Sequence, residues 1–423
     1  MFGVSLLLTA CLAVASSRVS PQTPLSLSKS TTMTSLDDVI SDSPFLSFHR
    51  DLVQTESISG KEAQVGDLIV DFLAARNFTV EKQPVGKDDS SRFNILAFPN
   101  NQQPEILLTS HFDTVPPFIP YSLSRIDDDD KNATDKDNIR IAGRGSVDAK
   151  ASVAAQIFAA LDVLEKSPSA PIGLLFVIGE EVGGDGMQTF SRSSSFNPNP
   201  SPYHTFIFGE PTEHALVAGH KGMLGFDIRA TGQAAHSGYP WLGRSAVSAI
   251  LPALQRVDQL GEISFEDGGL PSSPKYGKTT VNIGHMEGGV AGNVVPAAAR
   301  ADVAVRLAAG NPDEAREIIR RAINQATGDD EHVYPDFEAR LEAYPPQDLD
   351  ADVDGFSVIT VNYGTDVPNL LVHPNRDGRP VKRYLYGPGT IFVAHSDHED
   401  LTVAQLEESV EGYKKLVEAA LRR

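Results

Sequence analysis

The chain of 423 residues has one cysteine, few basic residues for its acidic content, and no apolar run long enough to cross a bilayer. The single cysteine, Cys11, lies in a short apolar stretch near the start of the chain. Disulfides are therefore excluded as the basis of the fold, and any metal site must use His, Asp and Glu. Lys and Arg number 36 against 56 Asp and Glu, a net charge of −20. This balance argues against a nucleic-acid partner, because phosphate contacts need clustered cations.

Residues 1–17 have the pattern of a secretory signal peptide, with an apolar stretch from Val4 to Ala15 followed by small residues. The stretch is shorter than the roughly 20 apolar residues that a membrane anchor needs. We therefore expect cleavage near residue 17, a secreted protein, and no membrane contact afterwards. In that pathway the Asn-x-Thr sequons at Asn77 and Asn132 become glycosylation sites.

The rest of the chain divides into regions that differ in their pattern of apolar and polar residues. The hydrophobic content of the chain, 41%, allows two large cores. Residues 18–36 are rich in Ser, Thr and Pro and are expected to form a flexible N-terminal segment. Residues 37–219 and 344–423 show continuous apolar strands between helices, which predicts one α/β domain whose sheet is covered by helices on both faces. In residues 220–343 the predicted strands alternate apolar and polar positions, and the predicted elements follow the order β-α-β-β-α-β. This order predicts an inserted ferredoxin-like domain.

Individual elements follow from hydrophobic spacing and capping signals. Helices are expected from a capping box at Ser59 and Glu62 to about Arg76, at residues 149–166 and 245–257, after Asn311 and Pro312, and through Leu406 and Tyr413 near the end. Strands are expected at residues 106–109, 172–178, 205–208, 222–230, 279–285, 301–307, 337–341, 356–361 and 390–394.

Metal-capable side chains occur in four short segments. They are His111 and Asp113 in SHFDTVP, Asp148 in GRGSVDAK, Glu180 and Glu181 in GEEVGG, and Glu210 in GEPTE. Three of the four segments directly follow a predicted buried strand, and such positions meet at one edge of an α/β sheet. Taken singly, each acidic residue is more simply a loop residue or a helix cap. Together they would repel one another unless a cation neutralised them, because no Lys or Arg accompanies most of them.

These motifs, in this order, resemble the dizinc metallopeptidase family that includes glutamate carboxypeptidase, aminoacylase, acetylornithine deacetylase and succinyl-diaminopimelate desuccinylase. The likeness spans nearly the whole chain after residue 40. It implies a zinc-exopeptidase-like catalytic domain with a mixed sheet, and an inserted domain that serves as a lid or for dimerisation. Two departures, Ala151 where relatives usually have glycine and an acidic insertion at residues 127–138, remove no ligand.

The resemblance implies two zinc ions per subunit with a shared ligand. One ion would be held by His111, Asp148 and Glu210, and the other by Asp148, Glu181 and His395. His395, in GPGTIFVAHSDHE, is expected to end a strand as the other ligands do. His398 is its nearby competitor and is expected to be a surface residue.

The resemblance also assigns roles to residues that are not ligands. Asp113 would orient the His111 imidazole, and Glu180 would be the general base. In the inserted domain, His236 and Asn293 would bind the substrate carbonyl oxygen, often across a subunit boundary, and Arg306 would bind a substrate carboxylate. Gly389 ends a turn that resembles the substrate-facing glycine turn of the family.

Simpler interpretations of the inserted-domain residues remain open. His236 could cap a turn, Asn293 could adopt a turn conformation, and Arg306 could face solvent on its strand. The glycine turn ending at Gly389 could equally be an ordinary loop.

The function expected from these features is a secreted, zinc-dependent carboxypeptidase or dipeptidase that uses metal-activated water with Glu180 as base. An N-acyl-amino-acid deacylase is the alternative, because both substrates present an amide beside a carboxylate. A catalytically inactive zinc-binding protein is a third hypothesis, and Glu180 beside a complete ligand set argues against it. A homodimer through the inserted domain is left open.

Overall fold

The computed structural model of the chain describes residues 35–86, 91–99, 102–127, 135–340 and 343–423. The expected signal peptide, most of the expected flexible N-terminal segment and the Asn132 sequon lie outside these residues. No helix in the described ranges is both long enough and apolar enough to span a bilayer.

The described residues form eight α-helices and seventeen strands, numbered here along the chain. The helices are α1 (Leu36–Ser41), α2 (Pro44–Gln54), α3 (Ala63–Ala74), α4 (Lys150–Lys166), α5 (Asp185–Arg192), α6 (Ala246–Asp258), α7 (Pro312–Thr327) and α8 (Val403–Leu421). The first nine strands are β1 (Phe78–Pro84), β2 (Phe93–Pro99), β3 (Ile106–His111), β4 (Ser122–Arg125), β5 (Ile139–Ala142), β6 (Ile172–Val177), β7 (Thr205–Gly209), β8 (Leu216–His220) and β9 (Gly222–Thr231). The others are β10 (Thr280–Gly288), β11 (Ala298–Leu307), β12 (Val333–Asp336), β13 (Ala343–Tyr344), β14 (Gln347–Asp348), β15 (Val358–Val361), β16 (Lys382–Tyr386) and β17 (Asp400–Thr402).

A six-stranded mixed sheet forms the centre of the larger domain, in the order β1-β2-β6-β3-β7-β16. Strands β6, β3, β7 and β16 run parallel, whereas β1 and β2 are antiparallel to their neighbours. Every residue of β3, β6 and β7 is buried. Alternate residues of these strands belong to different cores, one with α2, α3, α4 and α8 and one with α5. The expected α/β sheet covered on both faces is confirmed, as are its three buried strands and the helix after Asp148.

Helix α3 was expected, but its predicted capping box is wrong. Glu62 occupies the N-cap position and makes no side-chain cap bond. Its carboxylate instead accepts hydrogen bonds from the Gly60 amide and the Arg92 guanidinium, at 2.6 and 2.8 Å. The Ser59 hydroxyl donates to the Asp113 carboxylate at 2.7 Å, because the residues before α3 lie against the end of β3.

The inserted domain has the expected β-α-β-β-α-β order, built from β9, α6, β10, β11, α7 and β12. Its sheet order is β10-β11-β9-β12, and α6 and α7 pack on one face. Alternate residues of β11 are buried beneath the helices, so the predicted alternation is confirmed there. In β9, Gly225 and Asp227 on the other face are also buried, so its predicted exposed face is wrong at the centre of the strand. The strand predicted at residues 337–341 is wrong for residues 337–340, and residue 341 lies outside the described residues. The fourth strand ends at Asp336, whose carboxylate accepts bonds from the next amides and turns the chain.

The final part of the chain returns to the large domain but departs from two predictions. The strand expected at residues 390–394 is a turn, and the sheet is completed by β16 instead. The polar start of β16, Lys382 and Arg383, conceals its buried end from a search for apolar runs. Strand β15 lies on the surface beside β8 rather than in the core. Helix α8 is confirmed and packs against α4.

Candidate metal centre

Three of the predicted ligand segments lie side by side because the strands before them are neighbours in the sheet. His111 is the last residue of β3, the Glu180–Val182 turn follows β6, and Glu210 follows β7. These strands are adjacent and parallel, in the order β6-β3-β7. Their carboxyl ends therefore open at one edge of the sheet, which is where α/β domains collect ligands.

Asp148 lies between two imidazoles and offers one carboxylate oxygen to each. Its Oδ1 is 3.1 Å from His111 Nε2, and its Oδ2 is 3.2 Å from His395 Nε2. Each histidine also has a carboxylate of its own. Glu210 Oε1 is 3.9 Å from His111 Nε2, and Glu181 Oε2 is 3.0 Å from His395 Nε2. The arrangement is two overlapping groups of three side chains that share Asp148.

His395 reaches this position from a turn, so the expectation that it ends a strand is wrong. It lies among the turn residues after Thr390 and has a left-handed backbone, with φ of 63°. Its side chain is 53% exposed, whereas the His111 side chain is 1% exposed. His398, three residues later, is exposed as expected.

The electrostatics of the cluster show how strongly its carboxylates need a cation. Burial and the charges of neighbouring acids raise the pKa of Glu180 and of Glu210 well above the usual range, against the pull of His111. Burial opposes ionisation of Asp148, but hydrogen bonds from His111 and His395 outweigh it and lower its pKa. Hydrogen bonds to Asp148 and Glu181 raise the pKa of His395 to about 10. The imidazoles thus act as the counter-charges of the acids.

The donor set fits divalent metal ions. Donor atoms of His111, Asp148 and Glu181 lie within 4.8 Å of one another. Glu181 Oε1 is buried without a hydrogen-bond partner, which is costly for a carboxylate oxygen unless another ligand uses it. Imidazole and carboxylate donors suit zinc and related transition metals.

Asp113 acts differently from the carboxylate that was expected to hold His111. The Asp113 backbone carbonyl is 3.0 Å from His111 Nδ1, whereas its carboxylate is 3.6 Å away. The carboxylate accepts hydrogen bonds from Ser59 Oγ and from the backbone amides of Glu180 and Glu181, at 2.7, 3.2 and 3.4 Å. Asp113 therefore positions both the histidine and the turn that carries the two glutamates.

Comparison with known proteins identifies the family. Residues 218–331 match the family model of the M20 peptidase dimerisation domain. A probable carboxypeptidase of Aspergillus terreus is 69% identical over 392 residues, which cover 91% of this chain and 88% of that protein. The chain belongs to the M20 peptidase family.

Two solved structures share the fold of this M20 peptidase at low sequence identity. A tripeptidase from Staphylococcus aureus aligns with a TM-score of 0.67 and 20% identity, over 90% of this chain and 98% of its own. A dinuclear metal-binding M20 peptidase from Bacillus subtilis aligns with a TM-score of 0.59 and 13% identity, over 89% and 98%. The catalytic domain with an inserted dimerisation domain is thus the fold of the M20 peptidase, and the family together with the relative from Aspergillus terreus makes the chain a peptidase.

The inserted domain of the M20 peptidase carries His236 and Asn293 on adjoining loops. The Ser237 amide donates to the Asn293 carbonyl at 3.0 Å, and His236 Nδ1 accepts from the Gly238 amide at 3.0 Å. Both residues are exposed, and within the described ranges no hydrogen bond or ion pair joins them to the metal ligands. The structure thus shows a contact between the two loops.

Arg306 lies beside a loop of the catalytic domain. It is half-buried on the face of the inserted sheet opposite the helices. Its guanidinium NH1 lies 3.2 Å from the point where a Cβ on Gly364 would stand, on the loop that leads to Asp366. Among the described residues it has no hydrogen bond or ion pair. It is therefore a cation available to a ligand beside the loop that contains Gly364.

Gly389 lies against the Asp148 segment. It has a φ of 73°, and a Cβ there would come within 2.6 Å of the Val147 side chain. Glycine is thus required by both conformation and space, which explains the turn without a substrate role. Asn77 is exposed, also with positive φ, just after α3.

Three charged residues of the site were not predicted. Asp366 is buried near His111, and burial raises its pKa to about 6. One of its oxygens accepts from Asn369, and the other has no partner among the described residues. Arg144 and Glu399 form a buried ion pair beneath Asp148. Arg144 and Glu399 stand in segments already singled out by GRGSVDAK and HSDHE, whereas no local pattern marks Asp366.

Proposed function

We propose that this M20 peptidase is a secreted carboxypeptidase that holds two zinc ions in each subunit. The observation that carries the proposal is the position of Asp148, which gives one oxygen to the group of His111 and the other to the group of His395. A carboxylate with this arrangement is suited to bridge two cations. Its relative in Aspergillus terreus, named a probable carboxypeptidase, supports the choice of reaction.

Each ion would have three ligands from the chain. His111, Asp148 and Glu210 would hold one, and Asp148, Glu181 and His395 the other. When bound, the two ions supply Lewis acidity that polarises the scissile carbonyl and makes a water at the site more acidic. The partly exposed His395 leaves one side of the centre open to substrate.

Glu180 is the carboxylate of the cluster that touches neither imidazole in the described contacts, so it is free to transfer a proton. It would accept the proton of the attacking water and deliver it to the nitrogen of the leaving amine. In the metal-free protein, burial and neighbouring acids raise the pKa of Glu180. The Asp113 carboxylate fixes the turn that carries Glu180, because it accepts a hydrogen bond from the Glu180 backbone amide at 3.2 Å.

The proposal assigns recognition of the substrate carboxylate to Arg306. A half-buried, unpaired guanidinium beside the loop that leads to Asp366 suits the free carboxylate of a peptide C-terminus, which it can bind in bidentate fashion. His236 and Asn293 would bind the carbonyl oxygen from a partner subunit, since both are exposed and neither is hydrogen-bonded to the ligands of its own chain in the described contacts. A homodimer through the inserted domain is part of the proposal.

Secretion is supported by the apolar stretch within residues 1–17 and by the exposure of Asn77 in an Asn-x-Thr sequon. The mature chain would begin after residue 17 and carry a glycan on Asn77. Mass spectrometry of protein recovered from culture medium tests both points. An intact residue 1 on the recovered chain, or retention in the cells, would contradict secretion by a cleaved signal.

Activity is tested with a matched set of substrates. The zinc-loaded enzyme should hydrolyse N-blocked dipeptides with a free C-terminal carboxylate and should be much slower on the same peptides as C-terminal amides. Chelation should abolish turnover, and zinc should restore it. Faster hydrolysis of N-acetyl amino acids than of blocked dipeptides would identify a deacylase instead, and no turnover of any amide would contradict the proposal altogether.

A further inference from the structure

The metal ligands Asp148 and His395 stand on two loops that are joined by a short ladder. Strands β5 and β17 pair antiparallel, with Asp400 opposite Ala142. The loop after β5 leads to Asp148, and the loop before β17 contains His395. The Gly143 amide donates to the Glu399 carbonyl at 3.1 Å and extends the ladder by one bond. The start of the loop after β5 therefore lies beside the end of the loop before β17.

A buried ion pair links the loops beyond that ladder. Arg144 NH1 donates to Glu399 Oε2 at 2.7 Å, and the side chains are 2% and 1% exposed. A charge pair this deeply buried is costly unless its remaining polar atoms are also satisfied. Here they are used by the two loops themselves.

Glu399 holds the backbone of the Asp148 loop. Its Oε1 accepts hydrogen bonds from the backbone amides of Val147 and Asp148, at 3.0 and 3.1 Å. The Ser146 hydroxyl donates to the Glu399 carbonyl at 3.1 Å. Three consecutive residues that end at Asp148 are thus held by one glutamate.

Arg144 holds the other loop. Its NH2 donates to the His395 carbonyl at 3.3 Å, and its Nε donates to the Pro117 carbonyl at 3.4 Å. In the described part of the chain, Arg144 is the only group outside the turn that hydrogen-bonds to the His395 backbone. His111, by contrast, is held by the ladder of a central buried strand.

We propose that the Arg144–Glu399 pair is a positioning device that sets the separation of Asp148 and His395, and thereby the metal affinity of the His395 group selectively. The proposal rests on the proposed dinuclear metal site. Asp148 is shared by both groups, but His111 and Glu210 are held at the ends of the buried strands β3 and β7, whereas the pair holds His395 as well as Asp148. Loss of the pair should therefore weaken the metal-binding step of the His395 group far more than the other step. The pair touches no substrate group and acts through the ligands it holds.

The test is a metal titration of the metal-free full-length protein, with Zn²⁺ and a competing chelator, in the parent and in Glu399→Gln and Arg144→Lys. Glutamine keeps the size of Glu399 but loses its charge and one acceptor. Lysine keeps the charge of Arg144 but cannot bond Glu399, His395 and Pro117 together. His395→Ala and His111→Ala show which binding step belongs to which group.

We expect one step to weaken by about 10- to 100-fold in both variants, as for other residues that orient metal ligands. It should be the step lost in His395→Ala, while the other step changes by less than about threefold. In the zinc-saturated variants kcat should fall, while KM for a blocked dipeptide should stay within about threefold of the parent, because substrate contacts are intact.

A matched control is Asp227→Asn, which breaks a fully buried carboxylate pairing with Arg300 and Arg229 in the inserted domain. It should lower the melting temperature without changing either metal-binding step. Unchanged metal affinities in Glu399→Gln and Arg144→Lys, or equal weakening of both steps, would overturn the positioning role. A parent protein that binds fewer than two ions would instead overturn the dinuclear site itself.

Discussion

At the scale of single residues, two glutamates that are adjacent in sequence have different contacts in the candidate metal centre. Glu181 faces His395, whereas Glu180, next to it in sequence, pairs with neither histidine in the described contacts. Asp113 holds the amides of both glutamates and so fixes which carboxylate points to which side. Two identical side chains therefore have different proposed roles because of one turn.

Replacing Glu180 by glutamine should remove the proton acceptor and leave the ligands in place. We expect kcat to fall by about 100- to 10,000-fold, the usual contribution of a general base. Zinc content, measured by atomic emission on the same samples, should not change. Glu181→Gln is the matched control and should lose zinc. Equal activity of Glu180→Gln and parent would remove Glu180 from the mechanism.

Replacing Arg306 by methionine tests recognition of the substrate carboxylate. A charge-assisted hydrogen bond contributes about 1.5–3 kcal/mol, so kcat/KM for blocked dipeptides should fall by about 10- to 100-fold. The slower hydrolysis of C-terminally amidated peptides should be unaffected, because they have no carboxylate to lose. Arg321→Met, an exposed arginine of α7, is the control. An equal loss for acids and amides would contradict the role.

At the scale of elements, helix α2 is fastened to the metal loop by a buried histidine. His49 Nε2 is 3.1 Å from the Ser146 carbonyl, two residues before Asp148. Burial lowers the pKa of His49 to about 4, although the bond to Ser146 opposes this. The neutral imidazole is therefore the form that the folded protein accommodates.

This shift predicts a pH dependence of stability. The pKa of His49 is below its unfolded value of about 6.5, so its contribution is complete above that pH and is lost as the pH falls toward 4. Between pH 7 and pH 5 the loss should be about 2 kcal/mol, measured by urea unfolding of the metal-free protein. His49→Gln should reduce this slope, whereas His285→Gln, at an exposed position, should not. Parallel profiles for His49→Gln and parent would contradict it.

Strand β10 is an open edge of the inserted sheet, and it bears directly on the proposed dimer. Met286 on β10 is 44% exposed, and Tyr334 on the opposite edge strand β12 is 42% exposed. A charge placed within a dimer interface should disrupt it. We expect Met286→Lys to dissociate a dimer and Tyr334→Lys to leave it intact, by sedimentation equilibrium. A monomeric parent would contradict the dimer.

At the scale of the whole molecule, the metal centre joins parts of the chain that are far apart in sequence. The Arg144–Glu399 pair links residues 255 positions apart, and Asp148 lies between ligands from both segments of the catalytic domain. An ion bound at this point would stabilise the folded state, because the unfolded chain has no preformed site.

Removing the metal should therefore lower the stability of the entire catalytic domain. At free zinc about 1,000-fold above the dissociation constant, binding contributes about 4 kcal/mol. Thermal unfolding followed by circular dichroism, before and after dialysis against a chelator, should show a lower melting temperature for the stripped protein. Added zinc should restore it, and identical melting curves would argue against a metal that binds the folded state.

The sequence by itself determined the features that depend on local spacing. The helices after Asp148, Ser245 and Asn311, the buried strands β3, β6 and β7, and the order of elements in the inserted domain all follow from periodicity and caps. The sequence also predicted which residue types would be ligands and that most of them follow strands. Their meeting point could be predicted because neighbouring parallel strands end at one edge of the sheet. The family resemblance added the pairing of ligands to that reading.

Only the tertiary structure decided what depends on contacts between distant segments. It put His395 on a turn rather than at a strand end, completed the sheet with β16, and brought Asp366 beside His111. It also showed that Glu399 holds the Asp148 amide. The identity of these residues and the local sequence pattern do not reveal such contacts. Each contact depends on which distant loop packs against the residue once the two segments of the catalytic domain have folded around one sheet.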